Sequence, residues 1–339
     1  MSKRNTILVT GGCGYIGSHV TRQLSEAGHK VVVYDNLSTG FRDSLLYSED
    51  LVVGDLSDQK KLNGVFTDYH IDTVFHFAAS IVVPESVANP ILYYRNNTVN
   101  SINLFEACIN HDVKNLIFSS TAAVYGENTQ DMVTEESPTQ PANPYAWSKL
   151  MDEQILSDVA KAHNDFKFVT LRYFNVAGAD PEGRIGQRFP NATHLIKVAC
   201  ETAIGLRPSI SVFGSDYPTK DGTCIRDYIH VEDLADAHLK ALSYLESGGE
   251  SITLNCGYGN GFSVNEVLNT VDKIHSTPIQ RNGASRRSGD VSAIVADSTK
   301  ISEILGWEPK YDCLTKIVES AYSWEKALLE KRSELDNSA

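Results

Sequence analysis

No apolar run in the 339-residue chain is longer than a short strand. None could form the helix of about 20 residues needed to cross a bilayer. The six cysteines (Cys13, Cys108, Cys200, Cys224, Cys256, Cys313) show no paired spacing. That pattern argues against a disulfide framework or a zinc site and reads as reduced cytosolic thiols. The ten histidines show no ligand spacing either, so no metal is expected. Positive charge is scarce: 30 Lys and Arg face 43 Asp and Glu, for a net charge of −13. Nucleic acid and anionic membranes are therefore poor partners, although a local arginine cluster could still take a small anion. Lys3 and Arg4 lead at once into strand-forming residues, so no secretory leader is expected and the expected location is cytoplasmic. Internal repeats and low-complexity stretches are missing too.

What is present is a glycine-rich turn between two buried strands. Thr6 to Thr10 is a short apolar, β-branched run, and Gly11-Gly12-Cys13-Gly14-Tyr15-Ile16-Gly17 follows it. Ser18 to Ala27 carries Val20 and Leu24 at helical spacing, and Gly28 is placed as a helix stop. A second apolar run, Lys30 to Tyr34, ends in Asp35. Strand, glycine turn, helix, strand and acid is the order that a dinucleotide requires. The glycines permit the sharp turn, the close approach of backbone to pyrophosphate, and tight packing of helix on strand. The pyrophosphate then meets free N–H groups at the helix N-terminus. Asp35 stands eighteen residues past Gly17, close to the roughly 20 expected of the acid that binds the adenosine ribose. An acid there favours NAD over NADP, because a 2′-phosphate would meet a like charge.

Strand–helix alternation continues through Leu51–Val53, a helix capped by Ser57 and running to about Asp68, Thr73–Phe77, a long helix after Pro90, and Asn115–Ser120. The long helix is expected to place Val99, Ile102, Phe105 and Ile109 on one stripe. Repeated parallel crossovers mean an α/β, Rossmann-like, doubly wound parallel sheet. Its ligands sit beyond the carboxyl ends of the strands, here the glycine turn, Asp35-Asn36, Asp55-Leu56, Ala78 to Ser80 and Ser120-Thr121. Past a sixth strand, Lys167–Leu171, the alternation breaks at about Gly178. Helices are expected at Ala192–Ile204, Val231–Tyr244, Ser263–Ile274 and Leu314–Leu329, with short strands at Ser211–Phe213 and Ser251–Leu254. The division expected is a nucleotide domain over residues 1–178 and a smaller mixed α/β substrate lobe over 179–339, with some segments crossing between them.

Pro144 is placed to open a helix, and Tyr145 and Lys149 then share one face at i and i+4. A phenol near an ammonium and a nicotinamide cation is expected to have a lowered pKa. Facing a substrate hydroxyl, its phenolate would be a general base. In the second lobe Arg226, Arg286 and Arg287 lie near Asp227 and Asp290 in the sequence. Guanidinium groups suit phosphate oxygens in bidentate geometry.

Gly11-x-x-Gly14-Tyr15-Ile16-Gly17-Ser18-His19, Asp35-Asn36-Leu37, Gly54-Asp55-Leu56, Tyr145-x-x-x-Lys149, Arg172-Tyr173-Phe174-Asn175 and Arg226-Asp227-Tyr228-Ile229-His230-Val231 together resemble the extended short-chain dehydrogenase/reductases. Within them, the stretch Asp216-Tyr217-Pro218-Thr219-x-Asp221-Gly222-Thr223 ahead of Arg226 is similar to the UDP-hexose 4-epimerases. The resemblance covers about Thr6 to Trp307. It implies an NAD-dependent isomerase that interconverts UDP-glucose and UDP-galactose through a 4-keto sugar. Hydride leaves C4 and returns to the opposite face while UDP stays anchored. By resemblance Tyr145 is the base, Lys149 holds the nicotinamide ribose, and Thr121 hydrogen-bonds the 4-oxygen. Gly11, Gly14, Tyr15, Ile16, Gly17, Asp35, Asn36, Asp55, Leu56, Phe77, Ala78, Asn96, Ser119 and Tyr173 are implied NAD contacts, with Tyr145 and Lys149. Ser86, Thr121, Asn175, His194, Leu195, Ser211, Phe213, Arg226, Arg287, Asp290 and Ile294 are implied around the UDP-sugar. The resemblance also implies a homodimer paired through helices near residues 90–110 and 145–163.

Three positions depart from that pattern. A lysine expected near the NAD phosphates is replaced around Ile81. His194 stands where some members carry Asn. Ile294 stands where a Tyr in some members restricts the sugar pocket, so UDP-N-acetylglucosamine and UDP-N-acetylgalactosamine are expected as further substrates. Rival readings are a UDP-uronate or UDP-pentose epimerase or decarboxylase, and a non-enzymatic NAD sensor. A 4,6-dehydratase lacks its acid and base, because Ala122-Ala123 follows Thr121. A sensor would commonly have lost the tyrosine–lysine pair.

Overall fold

A computed structural model describes residues 5–126, 132–189, 192–287 and 290–338. Its first half runs β1 (Thr6–Thr10), α1 (Tyr15–Glu26), β2 (Lys30–Asp35), β3 (Asp50–Val53), α2 (Gln59–Tyr69), β4 (Thr73–His76), α3 (Val83–Ala88), α4 (Pro90–Tyr93), α5 (Asn100–Asn110), β5 (Asn115–Thr121), β6 (Met132–Val133), α6 (Pro144–Ala162) and β7 (Lys167–Tyr173). A π-helical turn, Tyr94–Val99, joins α4 to α5. The second half adds β8 (Asn175–Ala177), α7 (Leu195–Ala203), β9 (Ile210–Phe213), β10 (Ile225–His230), α8 (Val231–Glu246), β11 (Ile252–Cys256), β12 (Gly261–Ser263), α9 (Val264–His275), β13 (Arg281–Ala284), β14 (Ala293–Ala296), α10 (Thr299–Leu305) and α11 (Leu314–Ser338).

Seven parallel strands form the main sheet in the order β3-β2-β1-β4-β5-β7-β11. The chain starts in the middle, winds outward to β3, then returns to β4. The direction of winding therefore reverses between β1 and β4, where such a sheet opens a crevice. Alternate residues of β1 serve the two faces, as strand geometry demands. Ile7 and Val9 join a core with Val20 and Leu24 of α1 and Leu234 and Leu242 of α8. Leu8 joins the opposite core with Leu62 and Phe66 of α2, Leu104 and Phe105 of α5, and Leu156 of α6. One strand of this layer (β11) and one helix (α8) come from beyond residue 178.

The other lobe has a sheet ordered β12-β10-β14-β6, with β8 also pairing β10, and a two-stranded sheet of β9 and β13. Helices α7, α9 and α11 share a core that includes Ile196, Leu268 and Ile317.

Some local expectations change. Helix α2 is capped by Asp58, which accepts from the Lys61 N–H, because the Ser57 hydroxyl is already donated to the Asp55 carboxylate. Helix α1 begins at Tyr15, directly on the glycine turn, three residues earlier than its apolar spacing indicates. The expected stripe on the long helix divides. Phe105 is buried and Ile109 half-buried, but Val99 is 50% and Ile102 43% exposed. The buried face runs instead through Asn100, Ser101, Leu104, Phe105, Ala107 and Cys108, set by the π turn that precedes α5.

Candidate active site

The glycine turn is built for a close guest. Gly11 adopts φ +73°, and a Cβ there would stand 2.6 Å from the Ala78 amide nitrogen at the end of β4. A Cβ on Gly17 would stand 2.2 Å from the Gly11 carbonyl oxygen. Gly14 caps α1 with no side-chain hydrogen bond. The first-turn N–H groups of α1 therefore face the crevice, the arrangement that binds a pyrophosphate.

Asp35 closes the turn from β2. Its two carboxylate oxygens accept from the Cys13 N–H at 2.9 Å and the Leu37 N–H at 2.8 Å. Burial raises its pKa against those two hydrogen bonds. Asp55, after β3, accepts from the Ser57 N–H and hydroxyl and from Asn36 Nδ2. Burial pushes its pKa up, but these hydrogen bonds prevail and hold it below the ordinary value. The cradle around Gly11 and Gly17, the open N-terminus of α1 and the acid at the end of β2 fit NAD.

A single cleft of about 1490 Å³ runs from this turn into the second lobe. That exceeds the roughly 300–1,000 Å³ of an ordinary single-ligand pocket and leaves room for two. Gly11, Gly14, Tyr15, Ile16, Gly17, Asp35, Asn36, Asp55, Leu56, Phe77, Ala78, Asn96 and Tyr173 line it on the main-sheet side. Asn175, His194, Leu195, Ser211, Phe213, Arg226, Arg287, Asp290 and Ile294 line it from the other lobe. Thr121, ending β5, and Tyr145, in the first turn of α6, line the same cleft. Helix α6 starts where the sequence reading puts it, because Asn143 caps it through the Ala146 N–H and Pro144 occupies the first helical position.

Three implied residues stand behind the lining. The Ser86 hydroxyl donates to the Val83 carbonyl within α3. Ser119 is buried and donates to the Tyr173 hydroxyl at 2.9 Å. Lys149 is buried with Nζ 4.3 Å from the centre of the Phe118 ring.

The lowering of the Tyr145 phenol expected from sequence depends on a nicotinamide cation as well as an ammonium, and the protein's own groups do not supply it. Burial pushes the phenol up, and a hydrogen bond with Thr121 works against that rise. At the far end Arg226 Nη2 lies 3.7 Å from Asp290, and the Arg287 guanidinium lies 3.7 Å from the centre of the Phe213 ring. Arg286 turns away to Asp216 and the Tyr217 ring. Asp227 is fully buried and accepts from the N–H groups of Tyr258, Gly259 and Ala296, so it organises the lobe and does not face the cleft. The His194 Nδ1 takes a hydrogen bond from Gln187 Nε2 at 2.9 Å; burial, then Lys197, lowers its pKa.

Sequence spacing missed a buried bracket behind Tyr145. Asn97 Nδ2 donates to Ser148 Oγ and to the Ser80 carbonyl, and Asn97 Oδ1 accepts from the Ser80 N–H. It ties the loop after β4 and the π turn to the helix that carries Tyr145 and Lys149. The only trace in the sequence is the asparagine-rich run at residues 96, 97 and 100.

Residues 7–257 match the model of the NAD dependent epimerase/dehydratase family. A UDP-glucose 4-epimerase of Azospirillum brasilense is 53% identical over 322 residues, spanning 95% of this chain and 92% of that one. The chain belongs to this family, in its UDP-glucose 4-epimerase branch. Among solved structures, the UDP-glucose 4-epimerase of Brucella ovis in complex with NAD superposes with a TM-score of 0.91 at 41% identity, covering 94% of this chain and 98% of that one. The UDP-Glc/GlcNAc 4-epimerase of Campylobacter jejuni superposes with a TM-score of 0.84 at 48% identity, covering 95% and 99%. The chain is thus an NAD-dependent isomerase with a Rossmann-like fold. Among the described residues, no helix is long and apolar enough to cross a membrane.

Proposed function

We propose that this cleft inverts C4 of UDP-glucose and UDP-galactose, with Tyr145 as the general base. The observation that carries the reading is the placing of Tyr145 and Thr121 in one cleft that begins at the glycine turn and ends at Arg226 and Arg287. Bound NAD supplies the reversible hydride acceptor at C4. Tyr145 takes the proton from the 4-hydroxyl and later returns it, while Thr121 holds the same oxygen. Lys149, one turn further along α6, supports the phenolate with its charge. Gly11 to Gly17, Asp35, Asn36, Asp55, Leu56, Phe77, Ala78, Asn96, Ser119 and Tyr173 serve the dinucleotide.

A 4-keto sugar must turn over between the two transfers, so the grip has to be uneven. Arg226, Arg287, Asp290, Asn175, Ser211, Phe213, His194 and Leu195 hold the UDP. The hexose end is lined by apolar groups, with Ala122, Phe174 and Ile294 in one cluster. Such groups restrain a rotating ring little. Ile294 leaves width for a 2-acetamido group, which supports N-acetylhexosamine substrates as well. NMR of UDP-galactose incubated with NAD-loaded protein tests the reading: UDP-glucose must accumulate. Tyr145→Phe should lose 10²–10⁴-fold in kcat, the usual yield of a general base, with UDP affinity unchanged.

The substrate lobe is assigned to residues 179–339 and the NAD domain to 1–178, completed by α8 and β11. The working form is assigned as a homodimer. Val87, Ile91, Val99 and Ile102 stand exposed on one segment, and Trp147 and Met151 on the outer side of α6. A patch of that kind calls for a partner, and a second copy of this chain supplies the matching surface. Sedimentation showing only monomer at micromolar concentration would overturn that assignment. The cytoplasmic location rests on six unpaired thiols, five of them buried.

A further inference from the structure

Arg188 stands in the substrate lobe between β8 and α7, and its side chain crosses to the loop after β2. Its Nη1 donates to Asp43 Oδ1 at 2.6 Å, and its guanidinium lies 4.0 Å from the centre of the Phe41 ring. A flat guanidinium over an aromatic face gains from cation–π attraction as well as from the carboxylate. Arg188 and Phe41 both line the cleft, with Ser38, Thr39 and Ser44 beside Phe41. The Asp43 side chain is 72% and the Arg188 side chain 26% exposed, so the contact sits at the solvent edge of that cleft.

Each end of this contact is firmly seated. The Phe41 N–H donates to the Cys13 carbonyl of the glycine turn at 3.0 Å. A Cβ on Gly40 would stand 2.8 Å from the Cys13 carbonyl carbon, so the loop lies directly against that turn. On the other side Gln187, next to Arg188, is buried. Its carbonyl accepts from Trp324 Nε1 of α11 at 3.0 Å and from Lys197 Nζ of α7 at 3.3 Å, and its side-chain amide donates to His194. The contact is thus a strut between two anchored points. It runs from the core of the substrate lobe to the turn that faces the pyrophosphate. An exposed ion pair adds little to folding wherever it stands; this one stands across the opening of the cleft.

We propose that Arg188 is a positioning residue that clasps the cleft over the dinucleotide and slows its release. It rests on the reading of NAD, seated at the glycine turn, as a reversible hydride acceptor. That reaction returns NAD unchanged after each cycle, so one bound molecule serves many turnovers only if it stays. Binding strength within one site is tuned mainly through the rate of leaving. Arg188 acts through Phe41 and Asp43, by holding their loop in place beside the seated cofactor, and takes no part in the chemistry.

The test follows release of radiolabelled NAD from the loaded protein after dilution into excess unlabelled NAD. Arg188→Ala should release the label about tenfold faster, the combined effect of losing one exposed ion pair and one cation–π stack. Asp43→Ala should speed release about threefold, and adding it to Arg188→Ala should change nothing further. Arg188→Asp combined with Asp43→Arg should bring the rate back towards wild type. Sodium chloride at about 0.5 M should speed release from wild type and leave Arg188→Ala unmoved, because salt screens an exposed pair. Turnover that Arg188→Ala loses on dilution should return with added NAD, which a general loss of structure would not allow. Release from Arg188→Ala at the wild-type rate, or effects of Arg188 and Asp43 that simply add, overturns the proposal. If Gly11→Ala keeps its NAD affinity, the seating of NAD at the turn falls. If Gly11→Ala loses NAD while Arg188→Ala releases it at the wild-type rate, only the clasp falls.

Discussion

Replacing Gly11 with Ala separates backbone conformation from close contact in a way the chain itself calibrates. Gly11 has φ +73°, and a Cβ would meet the Ala78 nitrogen at 2.6 Å and the Phe77 carbonyl carbon at 2.9 Å. Those are backbone atoms of the segment leaving β4, so neither can swing aside. Gly28 offers the control: its φ is +86°, yet nothing lies within 4 Å of a Cβ built there. The left-handed conformation alone costs roughly 1–2 kcal/mol for a residue with a side chain. Forcing an extra carbon into a filled site adds roughly 1–3 kcal/mol. Gly28→Ala should therefore lose about 1–2 kcal/mol, and Gly11→Ala about 2–5 kcal/mol, out of the 5–15 kcal/mol typical of a domain. Urea denaturation of the NAD-free protein reads both losses. The collision also prises the turn away from Ala78, so NAD affinity, followed by titration calorimetry, should drop for Gly11→Ala and stay unchanged for Gly28→Ala. If the two variants lose equal stability and both keep NAD affinity, the close approach of turn and β4 is not what fixes this site.

Ile294→Tyr should cut turnover of UDP-N-acetylglucosamine by at least tenfold while UDP-glucose turnover stays within a few fold. Coupled assays on both sugars measure it, and no turnover of the acetylated sugar by either form removes the proposed breadth. Acid should destabilise the fold early. Burial draws His230 and His238 down to about 4 from 6.5, so each favours folding fully above pH 6.5 and loses that contribution as pH falls from 6.5 to 4. Each histidine carries roughly 3 kcal/mol across that window. Urea midpoints between pH 7.5 and 4.5 should fall accordingly, and a flat profile would contradict it.

The parts legible in the sequence were those fixed by neighbours along the chain. The glycine turn was readable because strands flank it and Asp35 closes it. The first turn of α6 was readable because Asn143 and Pro144 are local helix-start residues. The rest depends on partners remote in sequence. Strand β10 pairs with β8, some fifty residues earlier, and with β14, some seventy later, and no local periodicity announces such pairing. The π turn before α5 rotated the expected stripe and left Val99 and Ile102 at the surface. The same helix–helix packing aimed Asn97 at Ser148. Spacing reveals which residues share a helix face, and it does not reveal what the facing helix presents.

The most direct measurement follows the hydrogen on C4. UDP-galactose carrying deuterium at C4 should yield UDP-glucose with the label still at C4 in ordinary water, because the hydride leaves and returns inside one closed cleft. Label lost to solvent, or found at another carbon, would contradict the reading of Tyr145 and the glycine turn as two sides of a single reaction site.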